Sequence, residues 1–133
     1  MSFGPVSGNS IAIVLPPGKT AYWSVLAQAA FNQFVQLRDS GGNVIFTAQG
    51  ASANGLPTQI GQGSFVVNDQ SGNYTMSIGL NGGSSWSTVL WDDITVSLGQ
   101  NIMCSNFNFI AEDAGDQDFN DSAVSLTWFN SVG

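Results

Sequence analysis

Acidic side chains are concentrated in one short stretch near the end of the chain, residues 112–121. The 133-residue sequence has nine Asp and Glu residues, and five of the nine lie in these ten positions. Two like charges about 4 Å apart repel each other by roughly 4 kcal/mol at an effective dielectric near 20, which forces such a loop open or raises pKa values. The two basic residues, Lys19 and Arg38, lie elsewhere in the sequence. The stretch therefore predicts a binding site for an external cation.

The residue types in this stretch indicate calcium. Asp116, Asp118 and Asn120 alternate, so in an extended loop their oxygens point to one side, and Glu112 and Asp121 add carboxylates at the two ends. Ca²⁺ takes about 6–8 oxygen ligands in flexible geometry, whereas Mg²⁺ prefers fewer protein ligands and a stricter octahedron. Zinc is disfavoured, because the chain has no His and one Cys. An EF-hand is excluded, because Asp121 takes the place of the Gly at its sixth position.

The composition places this stretch in a folded chain with few charges. Hydrophobic residues make up 43% of the sequence and charged residues 8%, far below the usual quarter. Ser, Thr, Asn, Gln and Gly supply the surface, which suits sugars or self-association. The formal net charge of -7 argues against nucleic-acid and anionic membrane partners. Because the N-terminus lacks the regions of a signal peptide and no apolar run approaches a membrane span, we expect a cytoplasmic protein or one exported by a non-classical route.

Short strands are predicted along the whole chain, and no stretch has a helical period with caps. Residues 31–37 alternate apolar and polar side chains, and the turn at 39–43 returns the chain into a strand at 44–48. The other predicted strands lie at 10–15, 21–27, 59–67, 74–80, 86–90, 94–98, 102–110 and 122–129. The fold that these elements favour is an antiparallel β-sandwich of about nine strands, a single domain over residues 1–133. Its core or subunit interface should hold Trp23, Phe34, Phe46, Phe65, Trp91 and Trp128.

The acidic stretch resembles the motif of the bacterial two-calcium lectins that bind fucose and mannose. The order Glu-Asp-x-x-Asp-x-Asp-aromatic-Asn-Asp is followed here by an alternating strand that ends in Trp128, and later by the terminal Gly133. The resemblance covers residues 106–128 and, more modestly, 10–37. It implies a nine-stranded β-sandwich in which two adjacent Ca²⁺ ions ligate two sugar hydroxyls directly.

The resemblance also implies a role for each residue of the motif. The ligands of one ion would be Glu112, Asp116, Asp118 and Asp121. The ligands of the other would be Asp118, Asn120 and Asp121, with the backbone carbonyl of Gln28 and the Gly133 carboxylate of a neighbouring subunit. The sugar would meet Asp113 and the ion ligands Asp116, Asp118, Asn120 and Asp121, with Ala29 and Ala30 where the family sets sugar preference.

This sequence departs from the family pattern at two places. Residues 129–132 stand between Trp128 and Gly133 and lengthen the tail that would close the neighbouring subunit's site. Ala29 and Ala30 take the place of small hydroxyl-bearing residues, which removes hydrogen-bond donors to the sugar. Because several shallow sites on one rigid body raise avidity, we expect a homodimer or homotetramer in which the apolar tail docks.

Several classes of function remain open from the sequence alone. The leading hypothesis is a calcium-dependent lectin for fucose- or mannose-type sugars, with carbohydrate as its partner. The alternative is a calcium-stabilised structural or adhesion domain without sugar binding, because similar acidic strings resemble those of secreted calcium-binding β-domains. A solvated acidic loop without metal is the simplest interpretation of the stretch. An enzyme is disfavoured and no catalytic residue is assigned, because the carboxylates are crowded together and His is absent.

Overall fold

The computed structural model describes residues 2–113 and 119–131, and within them the chain forms eleven strands and one short 3₁₀ turn at Asn81–Gly83. In chain order the strands are β1 (Ser2–Ser7), β2 (Ile11–Val14), β3 (Thr20–Ala27), β4 (Gln33–Asp39), β5 (Val44–Gly50), β6 (Thr58–Val66), β7 (Asn73–Leu80), β8 (Ser85–Trp86), β9 (Thr88–Leu98), β10 (Asn101–Glu112) and β11 (Ser122–Phe129). Among the described residues, no helix has the length and apolar character needed to span a membrane.

The strands form two antiparallel sheets that face each other. One sheet has the order β1-β9-β10-β11-β3-β6, and the other has the order β2-β7-β4-β5, with β8 added to β7. The predicted hairpin over residues 31–48 is confirmed, since β4 pairs with β5. The antiparallel β-sandwich predicted from the sequence is therefore confirmed.

Two strands differ from the sequence prediction. β1 was not predicted, because Gly4 and Pro5 interrupt its alternation; it still pairs with β9, with an irregular register between Phe3 and Val6. β9 runs through Asp92 and Asp93, where the sequence predicted a break between two strands. Both residues pair with β10, and the Oγ of Ser105 donates a hydrogen bond of 2.7 Å to Asp93 Oδ1. The strand tolerates Asp93 because a hydroxyl of the neighbouring strand donates to its carboxylate.

The core between the sheets is apolar and rich in aromatic rings. Trp23 of β3 stacks on Phe46 of β5 across the sandwich, with ring centroids 3.8 Å apart and planes 6° from parallel. Gly61 and Gly63 of β6 leave room for the indole, since a Cβ at either position would come within about 3.0 Å of it. The predicted core aromatic residues are confirmed: Trp23, Phe34 and Phe46 are buried, and Phe65, Trp91 and Trp128 are half-buried against the core.

Three segments reach the same end of the sandwich. β10 and β11 form a hairpin whose last pair is Ala111 and Ser122, so the acidic stretch lies beyond that pair. Ser122 also pairs with Ala27, the last residue of β3. The connection over residues 28–32 then crosses from this sheet to the other, where Gln33 begins β4. The connection and the acidic stretch are therefore neighbours, although 80 residues separate Gln33 from Asp113.

Candidate metal-binding site

Three carboxylates meet where β10 ends and β11 begins. Glu112 is the last residue of β10 and is 5% exposed, while Asp113 and Asp121 are half-buried. One carboxylate oxygen of each residue lies within 4.8 Å of the others. Carboxylates this close together in a partly desolvated position repel each other unless a cation or a proton joins them.

Backbone hydrogen bonds fix the two ends of the acidic stretch. The Asp121 amide donates to the Ala111 carbonyl at 3.0 Å, which closes the β10–β11 hairpin. The Asp113 amide donates to Asp121 Oδ2 at 2.7 Å and so ties the first half of the stretch to the second. Phe119 has a φ of 53°, a left-handed conformation that is uncommon for an aromatic residue. The carboxylates are thus gathered by the strand pairing and by the stretch itself.

The electrostatics of the cluster centre on Asp121. The pKa of the Asp121 carboxyl is raised to about 7, chiefly by burial and also by its hydrogen bond with Glu112 and the charge of Asp113, against a lowering contribution from the Asp113 amide. Without a cation, the cluster therefore holds a proton near neutral pH. A divalent cation would take the place of that proton.

The described residues fit a calcium ion. The three side chains of the cluster offer oxygen atoms alone, which are the ligands that Ca²⁺ prefers. One buried polar atom beside the cluster, Ser122 Oγ, has no hydrogen-bond partner among the described residues. This end of the sandwich therefore carries the negative charge and a desolvated polar group of the kind that a cation site requires.

The connection over residues 28–32 lies against the cluster. The Gln28 amide donates to the Asp121 carbonyl at 2.9 Å, and the Ser52 amide donates to the Ala29 carbonyl at 2.9 Å. Ala29 is buried, whereas Ala30 and Phe31 are exposed. The structure thus places Gln28 next to Asp121, with Ala29 and Ala30 following in the same connection.

Not every predicted site residue lies in the described part of the chain. Glu112, Asp113 and Asp121 are brought together, and Asn120 directly precedes Asp121 on the exposed side. The predicted ligands Asp116, Asp118 and Gly133 lie outside the described residues. The sequence analysis did not identify Gln33, although its Nε2 donates a hydrogen bond to Asp113 Oδ2. The available signal was a polar residue at a position where the alternation of β4, with Val35 and Leu37, predicts an inward side chain.

The protein is an antiparallel two-sheet β-sandwich with three carboxylates gathered at its last hairpin. A family model described as Fucose-binding lectin II (PA-IIL) matches residues 13–130. The chain belongs to the fucose-binding lectin II family, which confirms the resemblance seen in the sequence. Lectins are carbohydrate-binding proteins without enzymatic activity, and the lectins of this family bind calcium.

Solved lectin structures share the fold. A high-affinity mannose-binding lectin of Ralstonia solanacearum is 20% identical with a TM-score of 0.72, over 92% of this chain and 96% of that chain. The C-terminal domain of a Burkholderia cenocepacia lectin is 21% identical with a TM-score of 0.73, over 96% of this chain and 100% of that chain. A Chromobacterium violaceum lectin in complex with alpha-methyl-fucoside is 21% identical with a TM-score of 0.70, over 92% and 96%. Comparison with curated proteins gives no match.

Proposed function

We propose that this protein is a calcium-dependent lectin that binds fucose- or mannose-type monosaccharides at the 112–121 stretch. The observation that carries the proposal is the meeting of Glu112, Asp113 and Asp121 oxygens within 4.8 Å of one another in a member of a lectin family. The neutral, hydrogen-bonding surface and the net charge of -7 favour a sugar over an anionic ligand.

The residues of the stretch divide into metal ligands and sugar contacts in this proposal. Glu112 and Asp121 hold calcium, together with Asp116, Asp118, Asn120, the Gln28 carbonyl and a Gly133 carboxylate, in a site for two ions. The bound ions supply positive charge that recognises a pair of sugar hydroxyls by geometry. Asp113 accepts a hydrogen bond from the sugar. Ala29 and Ala30 border the sugar without offering a hydroxyl, so the affinity depends on the ions and on Asp113.

The proposal is tested by retention on immobilised fucose and mannose. We expect the protein to be retained in calcium and released by a chelator, because the hydroxyl contacts require the ions. Galactose resin, which presents a different arrangement of hydroxyls, is the control. Binding of calcium without retention on any resin would instead support the alternative, a calcium-stabilised structural or adhesion domain.

We further propose that the protein is a homo-oligomer in which the tail of one subunit reaches another. β11 leads away from the acidic stretch, and at about 3.4 Å per residue its far end lies roughly 25 Å from its start. There the Asn130 amide donates to the Met103 carbonyl at 2.9 Å, and Lys19 Nζ donates to the Asn130 carbonyl at 2.8 Å. The tail therefore leaves the sandwich at the end opposite the subunit's own carboxylates, which favours a role for Gly133 at a neighbouring site.

Deleting residues 131–133 should lower the oligomeric mass or weaken calcium binding by at least about 100-fold, since one direct carboxylate ligand would be lost. The melting temperature of the metal-free subunit should change little, because the Lys19–Asn130 contact remains. Light scattering and calcium titration measure the two effects. A full-length chain that is monomeric at micromolar concentration, with a truncated chain that binds calcium equally well, would contradict the role of the tail.

A further inference from the structure

Gln33 is a buried polar residue that joins the two sheets at the site. It is the first residue of β4, with 0% of its surface exposed, and it pairs with Gly50 on one side and Leu80 on the other. Its Nε2 donates to Asp113 Oδ2 at 3.0 Å and to the Phe31 carbonyl at 3.2 Å. The Gln33 side chain, which belongs to one sheet, thus holds the Asp113 carboxylate, which lies in the last hairpin of the other sheet.

The side-chain amide of Gln33 can take only one orientation, and in that orientation its oxygen lacks a hydrogen-bond partner among the described residues. Both partners of Nε2, a carbonyl and a carboxylate, are acceptors only, so the nitrogen must face them. Oε1 then points to a place where it has no hydrogen-bond partner among the described residues. Burying a polar atom without a partner destabilises the folded state, a loss that an apolar side chain of the same size would avoid. Packing alone therefore does not account for a glutamine here.

The two contacts of Nε2 set the geometry of the sugar side of the site. The backbone of Asp113 is already fixed by its 2.7 Å hydrogen bond to Asp121 Oδ2, and Gln33 fixes the carboxylate. The same nitrogen holds the carbonyl of Phe31, in the connection that carries Ala29 and Ala30. A neutral donor orients Asp113 without cancelling its charge, whereas the positive charge of Lys or Arg would offset it.

We propose that Gln33 is a positioning residue for sugar binding, which locks the Asp113 carboxylate to the 28–32 connection so that Asp113 Oδ1 is presented to a sugar hydroxyl. This inference rests on the proposed lectin function and names a residue that acts through Asp113 and not through the metal. Gln33 itself has no exposed surface and does not meet the ligand.

The test is a double-mutant cycle between Gln33→Met and Asp113→Asn, read with methyl fucoside and methyl mannoside in saturating calcium. Gln33→Met keeps the side-chain length and removes the donor. We expect it to weaken sugar binding about tenfold, with calcium affinity unchanged, because Asp113 is no longer held. Combined with Asp113→Asn, it should weaken sugar binding no further, since the carboxylate that it positions is already gone.

Each outcome of this cycle decides the role of Gln33. A merely structural residue would cause the same loss in both backgrounds, and that result, or wild-type affinity in Gln33→Met, would overturn the inference while leaving the lectin function intact. Wild-type protein that binds calcium but neither glycoside would overturn the proposed function and this role with it. If Gln33→Met does not fold, Gln33→Leu enters the same cycle, and failure of both to fold would assign Gln33 to folding and overturn the inference.

Discussion

Removing calcium should lower the melting temperature of this protein by about 10 °C. An ion that binds only the folded state stabilises it by about 2.7 kcal/mol per site when its free concentration is 100 times the dissociation constant. For a domain of this size, each kcal/mol shifts the melting temperature by roughly 4 °C. Differential scanning calorimetry with calcium and with a chelator measures the change, and a second occupied site would enlarge it.

The effect of calcium on stability should depend on pH through Asp121. The pKa of this carboxyl is raised to about 7 by burial and by its acidic neighbours, so without metal the folded state binds a proton more tightly than the unfolded chain. That contribution to stability is fully present below the ordinary pKa of an Asp, near 4, and is lost as pH rises through about 7. The metal-free protein should therefore lose stability between about pH 4 and pH 7.

Calcium has the opposite pH dependence, because it must displace this proton. The difference in melting temperature between the calcium-bound and metal-free protein should be large at pH 8 and small at pH 5. Magnesium at equal concentration is the control for ionic strength. Melting curves that superimpose with and without chelator at pH 8 would show that the clustered carboxylates bind no calcium.

The sequence was sufficient to predict the sandwich and one end of its site, for reasons that particular residues illustrate. The β4–β5 hairpin follows from local alternation and from the turn at 39–43, both of which are encoded in neighbouring residues. Glu112, Asp113 and Asp121 lie close in the sequence, so a hairpin loop is enough to gather them. The family motif lies in this local segment as well, which is why the sequence reveals it.

What the sequence did not reveal depends on contacts between distant segments. The hydrogen bond from Gln33 to Asp113 needs the two sheets to be packed, and no local pattern of β4 specifies which carboxylate its amide will meet. The continuity of β9 through Asp92 and Asp93 likewise depends on strands β1 and β10 on either side. Local propensity predicts a break there, and cross-strand pairing overrides it.

Replacing Asp121 by Asn should remove calcium and sugar binding together. One of its carboxylate oxygens lies within 4.8 Å of an oxygen of Glu112 and of Asp113, and its Oδ2 accepts a hydrogen bond from the Asp113 amide, so it contacts the rest of the described cluster. Loss of a supporting residue around a metal commonly costs 10–100-fold in affinity, and loss of a direct carboxylate ligand should cost at least about 100-fold. Calcium titration by calorimetry measures the first effect, and retention on fucose or mannose resin measures the second.

Asp113→Asn is the matched comparison, because it removes a neighbouring charge that we assign to the sugar. Its calcium affinity should stay within a few-fold of wild type, while sugar binding should fall by about 10–100-fold, the contribution of a hydrogen bond to a charged group. Asp69→Asn removes the same charge at the opposite end of the sandwich, where Asp69 accepts hydrogen bonds from the Ser40 and Ser71 amides. It should leave both affinities unchanged.

The contrast between the two site variants carries the conclusion. If Asp121→Asn and Asp113→Asn lose calcium equally, the division into metal ligands and sugar contacts is wrong and the cluster acts as one undivided cation site. If both keep calcium, the ions are bound elsewhere. A third outcome is that Asp121→Asn loses calcium while Asp113→Asn keeps calcium and loses only sugar binding. That result would require two functions within one group of neighbouring carboxylates. The role proposed for Gln33 is then consistent with this division, because Gln33 contacts the carboxylate that is assigned to the sugar.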